Sequence, residues 1–410
     1  MEPKKLYKTI EEIASPSYAN DKEMLIAIVN KLIGYESINI SGGRIWKLIP
    51  ESASYCLIYQ TGNLDLISED FTVSIREYPI FDTIAKERTI LDTETNIILR
   101  SKGIMKYSAS GVGDKIKIDG KPYYEYLLAL NTSNISEEQR ITLNIIATAI
   151  TSGIKQKRAA LRAKLLKADL DKARELQKSI LPEHEYRFHN YELFGVTSPA
   201  EIVGGDFFDY LMIGDDEDRL GVTVGDAASK GISAAAEAMY ISGALRMASN
   251  FEIKIYPLMK RMNELVSKIF ADDKFASLFY GELSNDKSGL FLYANAGHNP
   301  PVFVKKDSDE IILLHSTGPI LGPLPNARYQ VENINFALGD VLVIYSDGVT
   351  EAADKDFNTY GEERLYKIIQ ANKNLSAKEL IYIILDDVIK FSTNGQYSDD
   401  KTLVIIKRIK

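Results

Sequence analysis

Between Ser136 and Ile180 the chain carries no proline and a single glycine, Gly153. A stretch so free of breakers reads as one long helix. It opens on Ser136-Glu137-Glu138-Gln139, a serine followed three residues later by glutamine, which is a helix-capping signal. Pro182 ends it, because proline cannot continue the hydrogen-bond ladder. This helix divides the chain into residues 1–136, 137–182 and 183–410. Its second half places apolar or small residues at Ala159, Ala163, Leu166, Leu170, Ala173 and Ile180, with Gln177 interrupting. The alternating three and four spacing predicts a short, alanine-rich coiled-coil seam. Lys155–Lys178 holds nine basic and three acidic residues. That charge fits a solvated helix face, and the sharper reading is a dimerising helix that carries a signal.

At 410 residues the chain has room for two or three domains. Its net charge of -8 disfavours general nucleic-acid binding, which needs a basic face against phosphates. One cysteine, Cys56, allows no internal disulfide and no cysteine-rich zinc site. With four histidines, any metal site must be built mainly from oxygen ligands. No segment approaches the roughly 18 apolar residues of a membrane span. Met1-Glu2-Pro3-Lys4-Lys5 lacks the apolar stretch of a secretory signal. The expectation is a cytoplasmic protein with no membrane span.

Residues 1–136 mix helical and strand patterns. Asp21 to Ile33 carries apolar residues at helical spacing, and Ser54–Gln60 and Tyr123–Leu130 read as strands. Residues 183–410 alternate strands (Leu220–Val224, Leu278–Gly281, Leu290–Ala294, Val341–Tyr345, Leu403–Ile406) with helices (Ile232–Met247, Pro257–Phe270, Glu362–Ala371, Ala377–Phe391). Alanines 234, 235, 236 and 238 suit a helix packed closely on a sheet.

Four acidic motifs punctuate this last region: Gly204-Gly205-Asp206-Phe207-Phe208-Asp209, Val224-Gly225-Asp226-Ala227-Ala228-Ser229-Lys230-Gly231, Tyr345-Ser346-Asp347-Gly348-Val349-Thr350-Glu351 and Ser398-Asp399-Asp400-Lys401-Thr402-Leu403. A single Asp-Gly is ordinarily a turn. Four such sites beside apolar strands point to carboxylates that converge, and converging carboxylates repel unless a cation compensates. Oxygen-only donors select Mg²⁺ or Mn²⁺. Two such ions can share and acidify a water and align it against phosphorus.

These motifs, with Leu176-Gln177-Lys178-Ser179-Ile180-Leu181-Pro182 before them and Ala294-Asn295-Ala296-Gly297-His298-Asn299-Pro300-Pro301 among them, resemble the bacterial PPM-type serine/threonine phosphatases of the SpoIIE/RsbU class. The resemblance covers residues 170–410. It implies an α-β-β-α sandwich of two antiparallel sheets flanked by helix pairs. It also implies Asp226 as the carboxylate bridging two metals, Mn²⁺ or Mg²⁺, with the Ala227 carbonyl as a further ligand. Asp347 and Asp399 would hold one metal, and Asp206 would orient waters on the other. The implied substrate is a phosphorylated protein, often a STAS-domain anti-anti-sigma factor. The family has Val-Ser-Gly where this chain has Ala227-Ala228-Ser229. Asp209, Asp400, Glu351 and His298 are candidates for supporting the metal ligands or lining a substrate cleft. The Gly297-His298-Asn299-Pro300 stretch reads equally as a turn.

Residues 1–136 are similar to GAF domains, giving an overall α+β fold: a GAF-like sensor, a long linker helix and a phosphatase sandwich. That likeness implies a small ligand or a dimer platform, and a homodimer through sensor and helix. Trp46, Tyr55 and Tyr59 could line a pocket, though strand aromatics are more often core. Two competing readings are a catalytically weak scaffold on the same fold and a diguanylate cyclase. The cyclase reading rests on Gly204-Gly205-Asp206-Phe207-Phe208, which differs from Gly-Gly-Asp-Glu-Phe at one residue.

Overall fold

The computed structural model describes residues 18–34, 40–68, 70–95, 97–132, 136–214, 217–270, 274–308, 310–393, 395 and 399–410. Ser398 of the fourth acidic motif lies outside the described residues. The chain divides into two compact units, residues 1–166 and 167–410.

In the first unit an antiparallel six-stranded sheet has the order β3-β2-β1-β6-β5-β4. Its strands are β1 (Ile40–Ile49), β2 (Ser54–Gly62), β3 (Thr72–Ser74), β4 (Thr89–Thr93), β5 (Lys106–Ile118) and β6 (Lys121–Thr132). Successive residues of a strand face opposite sides, so each face needs its own cover. Ile45, Leu128 and Leu130 pack with helix α1 (Asp21–Ile33) and with Leu143, Ile146, Ile150 and Ile154. Those four belong to the long helix α4 (Glu137–Ile180), capped by Ser136 Oγ accepting from the Gln139 amide. The first half of this helix is therefore core of the first unit rather than a spacer. Arg158 closes that half, bonding Asp21, Asp114 and Glu125. Beyond it, Ala159, Ala163 and Leu166 of the predicted seam are exposed and Leu170 is half-buried. The opposite sheet face, with Trp46, Leu57, Tyr107 and Leu127, packs with helix α2 (Ile80–Glu87) and Leu99 of α3 (Ile97–Ser101).

The second unit is a sandwich of two antiparallel sheets. One holds β9 (Asp206–Ile213), β10 (Arg219–Ala227), β11 (Ala276–Ser284), β12 (Leu290–Ala296) and β15 (Glu332–Asn335). The other, in the order β14-β13-β16-β17-β8-β7, holds β7 (Glu185–Phe188), β8 (Tyr191–Ser198), β13 (Val302–Val304), β14 (Ile311–Leu313), β16 (Val341–Tyr345) and β17 (Lys401–Arg408). Phe208, Val222, Val224, Phe279 and Phe291 meet Phe303, Leu342, Ile344 and Val404 between the sheets. Outside, α5 (Gly231–Ser249) and α6 (Ile255–Ile269) cover Phe207, Leu211 and Leu278. On the far side, α8 (Glu362–Asn372) and α9 (Ala377–Phe391) cover Val343, Leu403 and Ile405. A one-turn helix, α7 (Asp347–Thr350), follows β16. Because both faces of β16 and β17 are covered, these strands are continuous apolar runs rather than alternating ones. This is the α-β-β-α arrangement the sequence predicts.

Candidate metal centre

Asp206 and Asp226 sit directly opposite each other in the β9–β10 ladder. Along β10 the even positions Leu220, Val222 and Val224 point between the sheets, and Asp226 continues that face to the strand end. On β9, Phe208 and Tyr210 do the same, which puts Asp206 on the same side. Asp209, three residues along, must face the other way. It does: its carboxylate is buried against α5, where Arg246 Nε donates to Oδ2 at 2.5 Å and Nη2 to Oδ1 at 3.1 Å. Asp209 thus stays out of the carboxylate cluster and staples α5 to β9.

The other acids arrive from the second sheet. Asp347 opens α7 directly after β16, and Asp399 and Asp400 precede β17. The Asp400 carboxylate is spent on backbone: Oδ1 accepts from the Ala200 amide at 2.8 Å, and Oδ2 from Gly205 at 2.7 Å and Asp206 at 3.3 Å. It holds the Gly204–Asp206 loop in place. Ser346 ties the two loops of this sheet, its Oγ accepting from the Thr402 amide at 2.9 Å and donating to the Asp400 carbonyl at 3.3 Å. Gly348 is required at this junction, because a Cβ there would lie 2.0 Å from the Asp400 carbonyl oxygen.

Burial, and then Asp226, push the Asp206 carboxyl well above the ordinary carboxylate range, while Ser346 and Thr402 hydroxyls oppose the rise. Burial likewise raises Asp226, followed by the fields of Asp347, Asp399 and Asp400. Asp347 rises through burial, then through Glu351, which is itself exposed, and Asp399. Lys401, half-buried, feels Asp399, Asp400 and Asp206, and burial holds its ammonium below the usual range.

The group gathers several carboxylates at one end of the sandwich, with Lys401 as the one cation among the described residues shown to feel them. Asp206 Oδ2 is buried with no hydrogen-bond partner. Gly205 leaves a cradle that a Cβ would fill, 2.7 Å from the Ala227 carbonyl oxygen and 3.4 Å from Asp226 Oδ1. Unpartnered carboxylate oxygen, a backbone carbonyl and all-oxygen chemistry suit a hard divalent cation. Among the described residues no three such side chains already close around one point as a cage. The Ala227-Ala228-Ser229 turn needs no glycine: the positive φ falls at Gly231, at +63°, and Ser229 Oγ is bonded to Glu237.

His298 is buried, its Nδ1 paired with Ser277 Oγ at 2.8 Å, and so does not line an open cleft. The Asn295 side chain builds its turn, accepting from the His298 amide and donating to the His298 and Leu314 carbonyls. Burial lowers the imidazole to about 4. Gln177 is the residue whose role the seam pattern hid. It is buried, donates to the Gly204 carbonyl at 2.7 Å and accepts from the Gly204 amide at 3.2 Å. Nearby, Arg246 Nη2 donates to the Ile180 carbonyl at 2.5 Å, and Leu181 packs on the α5–α6 core. A polar residue breaking an apolar seam was the available signal.

Residues 216–409 match the family described as Stage II sporulation protein E (SpoIIE). The chain is 25% identical over 419 residues to the protein IcfG of Synechocystis sp., covering 95% of this chain and 62% of IcfG. It is 26% identical over 244 residues to the phosphoserine phosphatase RsbU of Bacillus subtilis, covering 59% of this chain and 71% of RsbU. Among solved structures, the SiaA-PP2C domain of Pseudomonas aeruginosa aligns over its whole length with 61% of this chain, at a TM-score of 0.52 and 18% identity.

Proposed function

Because residues 216–409 belong to the SpoIIE family, whose fold is that of PP2C phosphatases, we propose that this chain is a metal-dependent protein serine/threonine phosphatase. The observation that carries this reading is the cross-strand pair Asp206–Asp226, with a buried, unpartnered oxygen on Asp206 and further carboxylates facing it. In this reading Asp226 and the Ala227 carbonyl would be shared by two divalent ions, Mn²⁺ or Mg²⁺. Asp347 and Asp399 would help hold one of them and Asp206 would serve the other. When bound, such ions acidify a water and offset charge on a phosphoryl group. The protein's own part is placement. Asp400 fixes the Gly205 and Asp206 amides, Ser346 ties the Asp347 and Asp400 loops, and Gly205 and Gly348 allow backbones to approach.

The proposed substrate is phosphoserine or phosphothreonine on a regulatory protein, a STAS-domain protein by likeness to RsbU. Regulation is proposed to run from the 1–136 domain, read as GAF-like, along the long helix to Gln177, which is bonded to the loop that carries Asp206. The exposed Leu166 and half-buried Leu170 suit a homodimer seam. Leu166→Asp with Leu170→Asp is expected to give a monomer by light scattering.

Hydrolysis of p-nitrophenyl phosphate in Mn²⁺, with and without chelator, tests the activity. Turnover is expected to vanish with chelator and in Asp226→Ala. Turnover that survives both would overturn the metal assignment. Turnover absent from the intact chain but present in a 167–410 fragment, which keeps Gln177, would support an enzyme held off by its first unit, and turnover by the intact chain of a phosphoserine protein alone would support one that needs its protein substrate. Absence in all three would favour the scaffold. The cyclase reading has no support in the double sheet: Asp206 pairs with Asp226 inside a sandwich of the PP2C kind.

A further inference from the structure

The first unit contains a cavity of about 360 Å³ between the β1–β5 face of its sheet and helices α2 and α3. Well-packed interiors leave few voids larger than a water molecule. A cavity of this size falls instead at the lower end of the range for small-molecule sites, roughly 300–1,000 Å³.

The lining has two chemical parts. Four aromatic rings, Trp46, Tyr78, Phe81 and Tyr107, contribute from β1, the segment before α2, α2 itself and β5. Three carboxylates, Glu77, Asp92 and Glu94, stand with them, and among the described residues no lysine, arginine or histidine lines the cavity. The carboxylates act on the cavity's own rings: after burial, Glu94 and Asp92 push the Tyr107 phenol up, and Glu94 and Glu77 do the same to Tyr78. The remaining walls, Val73, Ile84, Leu99 and Leu127 among them, are apolar. Of the aromatics the sequence suggested, Trp46 lines this cavity. Tyr55 is buried with its hydroxyl on the Tyr124 carbonyl, and Tyr59 bonds Asn30.

Ring faces attract cations through their quadrupole, and carboxylates add a full negative charge. An anionic ligand, including a nucleotide phosphate, would meet like charge, and no basic side chain of the described lining faces it. We propose that this cavity binds a small organic cation: an ammonium group held among the carboxylates and rings, attached to an apolar or aromatic body that fills the apolar end. This stands apart from the phosphatase reading, because the site is in the other unit and its test does not use turnover.

The chain contains one tryptophan, and it is Trp46. Its emission, excited selectively, therefore reports the cavity directly in the full-length protein. The probes are phenethylammonium, neutral 2-phenylethanol and phenylacetate, which share a body and differ in charge. The expected result is a saturable emission change with phenethylammonium in the millimolar range, and binding at least about tenfold weaker for phenylacetate. Calorimetry of the same titrations covers binding that leaves the emission unchanged. Asp92→Asn with Glu94→Gln is expected to bring the two charged probes within about twofold of each other. Each single variant serves if the pair does not fold, and circular dichroism checks this. Equal binding of phenylacetate, no saturable phenethylammonium binding by either method, or a preference that survives in a folded double variant would each overturn the proposal.

Discussion

Replacing Gln177 tests whether the end of the long helix sets the geometry of the candidate metal centre. The side chain is buried, and both ends of its amide are used on one residue, Gly204. Gln177→Ala leaves the Gly204 N–H and carbonyl without their partner. A backbone group left unsatisfied in the interior costs about 1–3 kcal/mol, so two set the loss at about 2–4 kcal/mol after some relaxation. That strain falls on a loop whose next two amides, those of Gly205 and Asp206, are held by Asp400 Oδ2, and whose second residue is the candidate ligand Asp206. If about half reaches the site as displacement of Asp206, kcat/KM drops roughly five- to thirtyfold, since about 1.4 kcal/mol is one decade. The assay is p-nitrophenyl phosphate hydrolysis across a Mn²⁺ series, with thermal unfolding measured alongside. Gln177→Ala is expected to lower turnover and move the metal midpoint to higher concentration. Gln177→Glu keeps an acceptor for the Gly204 amide but has nothing to donate, and should fall between. Wild-type turnover and metal midpoint in a Gln177→Ala protein that merely melts earlier would refute the coupling and leave Gln177 as a staple of the fold.

Three further outcomes follow from the same geometry. His298 is neutral in the fold at about 4 and titrates near 6.5 when unfolded, so its contribution is present above pH 6.5 and lost as pH falls toward 4. Urea unfolding at pH 7.5 and pH 5 should differ by about 2 kcal/mol on this account, and an unchanged difference in His298→Gln would contradict it. Gly205→Ala would place a methyl 2.7 Å from the Ala227 carbonyl oxygen, so metal-dependent turnover should fall by about 100-fold or more with a loss of roughly 1–3 kcal/mol in stability. Asp209→Asn removes the charge on which Arg246 is clamped and should cost about 1–3 kcal/mol, because Arg246 is partly exposed, while the metal midpoint stays put. A metal midpoint that moves as far as it does in Asp206→Asn would return Asp209 to the cluster.

Much of this was legible because local physics repeats along the chain. Val341–Tyr345 is buried on both faces, and its unbroken apolar run announced that. Ala377–Phe391 forms with both ends as read, and its Ser376–Glu379 capping box shows why it starts there. The four acidic motifs pointed to strand ends, and the strands are there. What was hidden depends on which face a residue takes and on what arrives from far along the chain. Asp206 and Asp209 look equivalent in the motif, but three residues along a strand reverses the face. Asp400 reads as a group supporting the ligands or lining a cleft without saying what it touches, and its oxygens are committed to amides some 200 residues earlier, a contact no local pattern reveals. Leu143, Ile146, Ile150 and Ile154 have helical spacing, but spacing names a buried face without naming the sheet it packs on. His298 shows the converse, since a motif histidine is buried by the Asn295-built turn around it.

The clustered carboxylates carry a cost that a bound cation would offset, and this gives a prediction opposite in sign to most site substitutions. Asp226 faces Asp206 across one ladder step and feels Asp347, Asp399 and Asp400. Lys401 is a basic residue whose interactions extend to Asp399, Asp400 and Asp206, and it is half-buried at the cost of its own hydration. In metal-free protein at neutral pH, Asp226→Asn removes one of these repelling charges while keeping the side chain's shape. It should raise stability, on the order of 1–2 kcal/mol, as strained functional sites do when relieved. Adding Mn²⁺ should then reverse the ranking. A ligand that binds only the folded state stabilises by RT ln(1 + [L]/Kd), about 2.7 kcal/mol at a hundred times Kd, and the variant has lost its central donor. Thermal unfolding of both proteins, in chelator and in saturating Mn²⁺, reads all four corners. An Asp226→Asn protein less stable than wild type in chelator would mean that the carboxylates are held apart by structure rather than waiting on a cation. Equal stabilisation of both proteins by Mn²⁺ would move the ion away from Asp226.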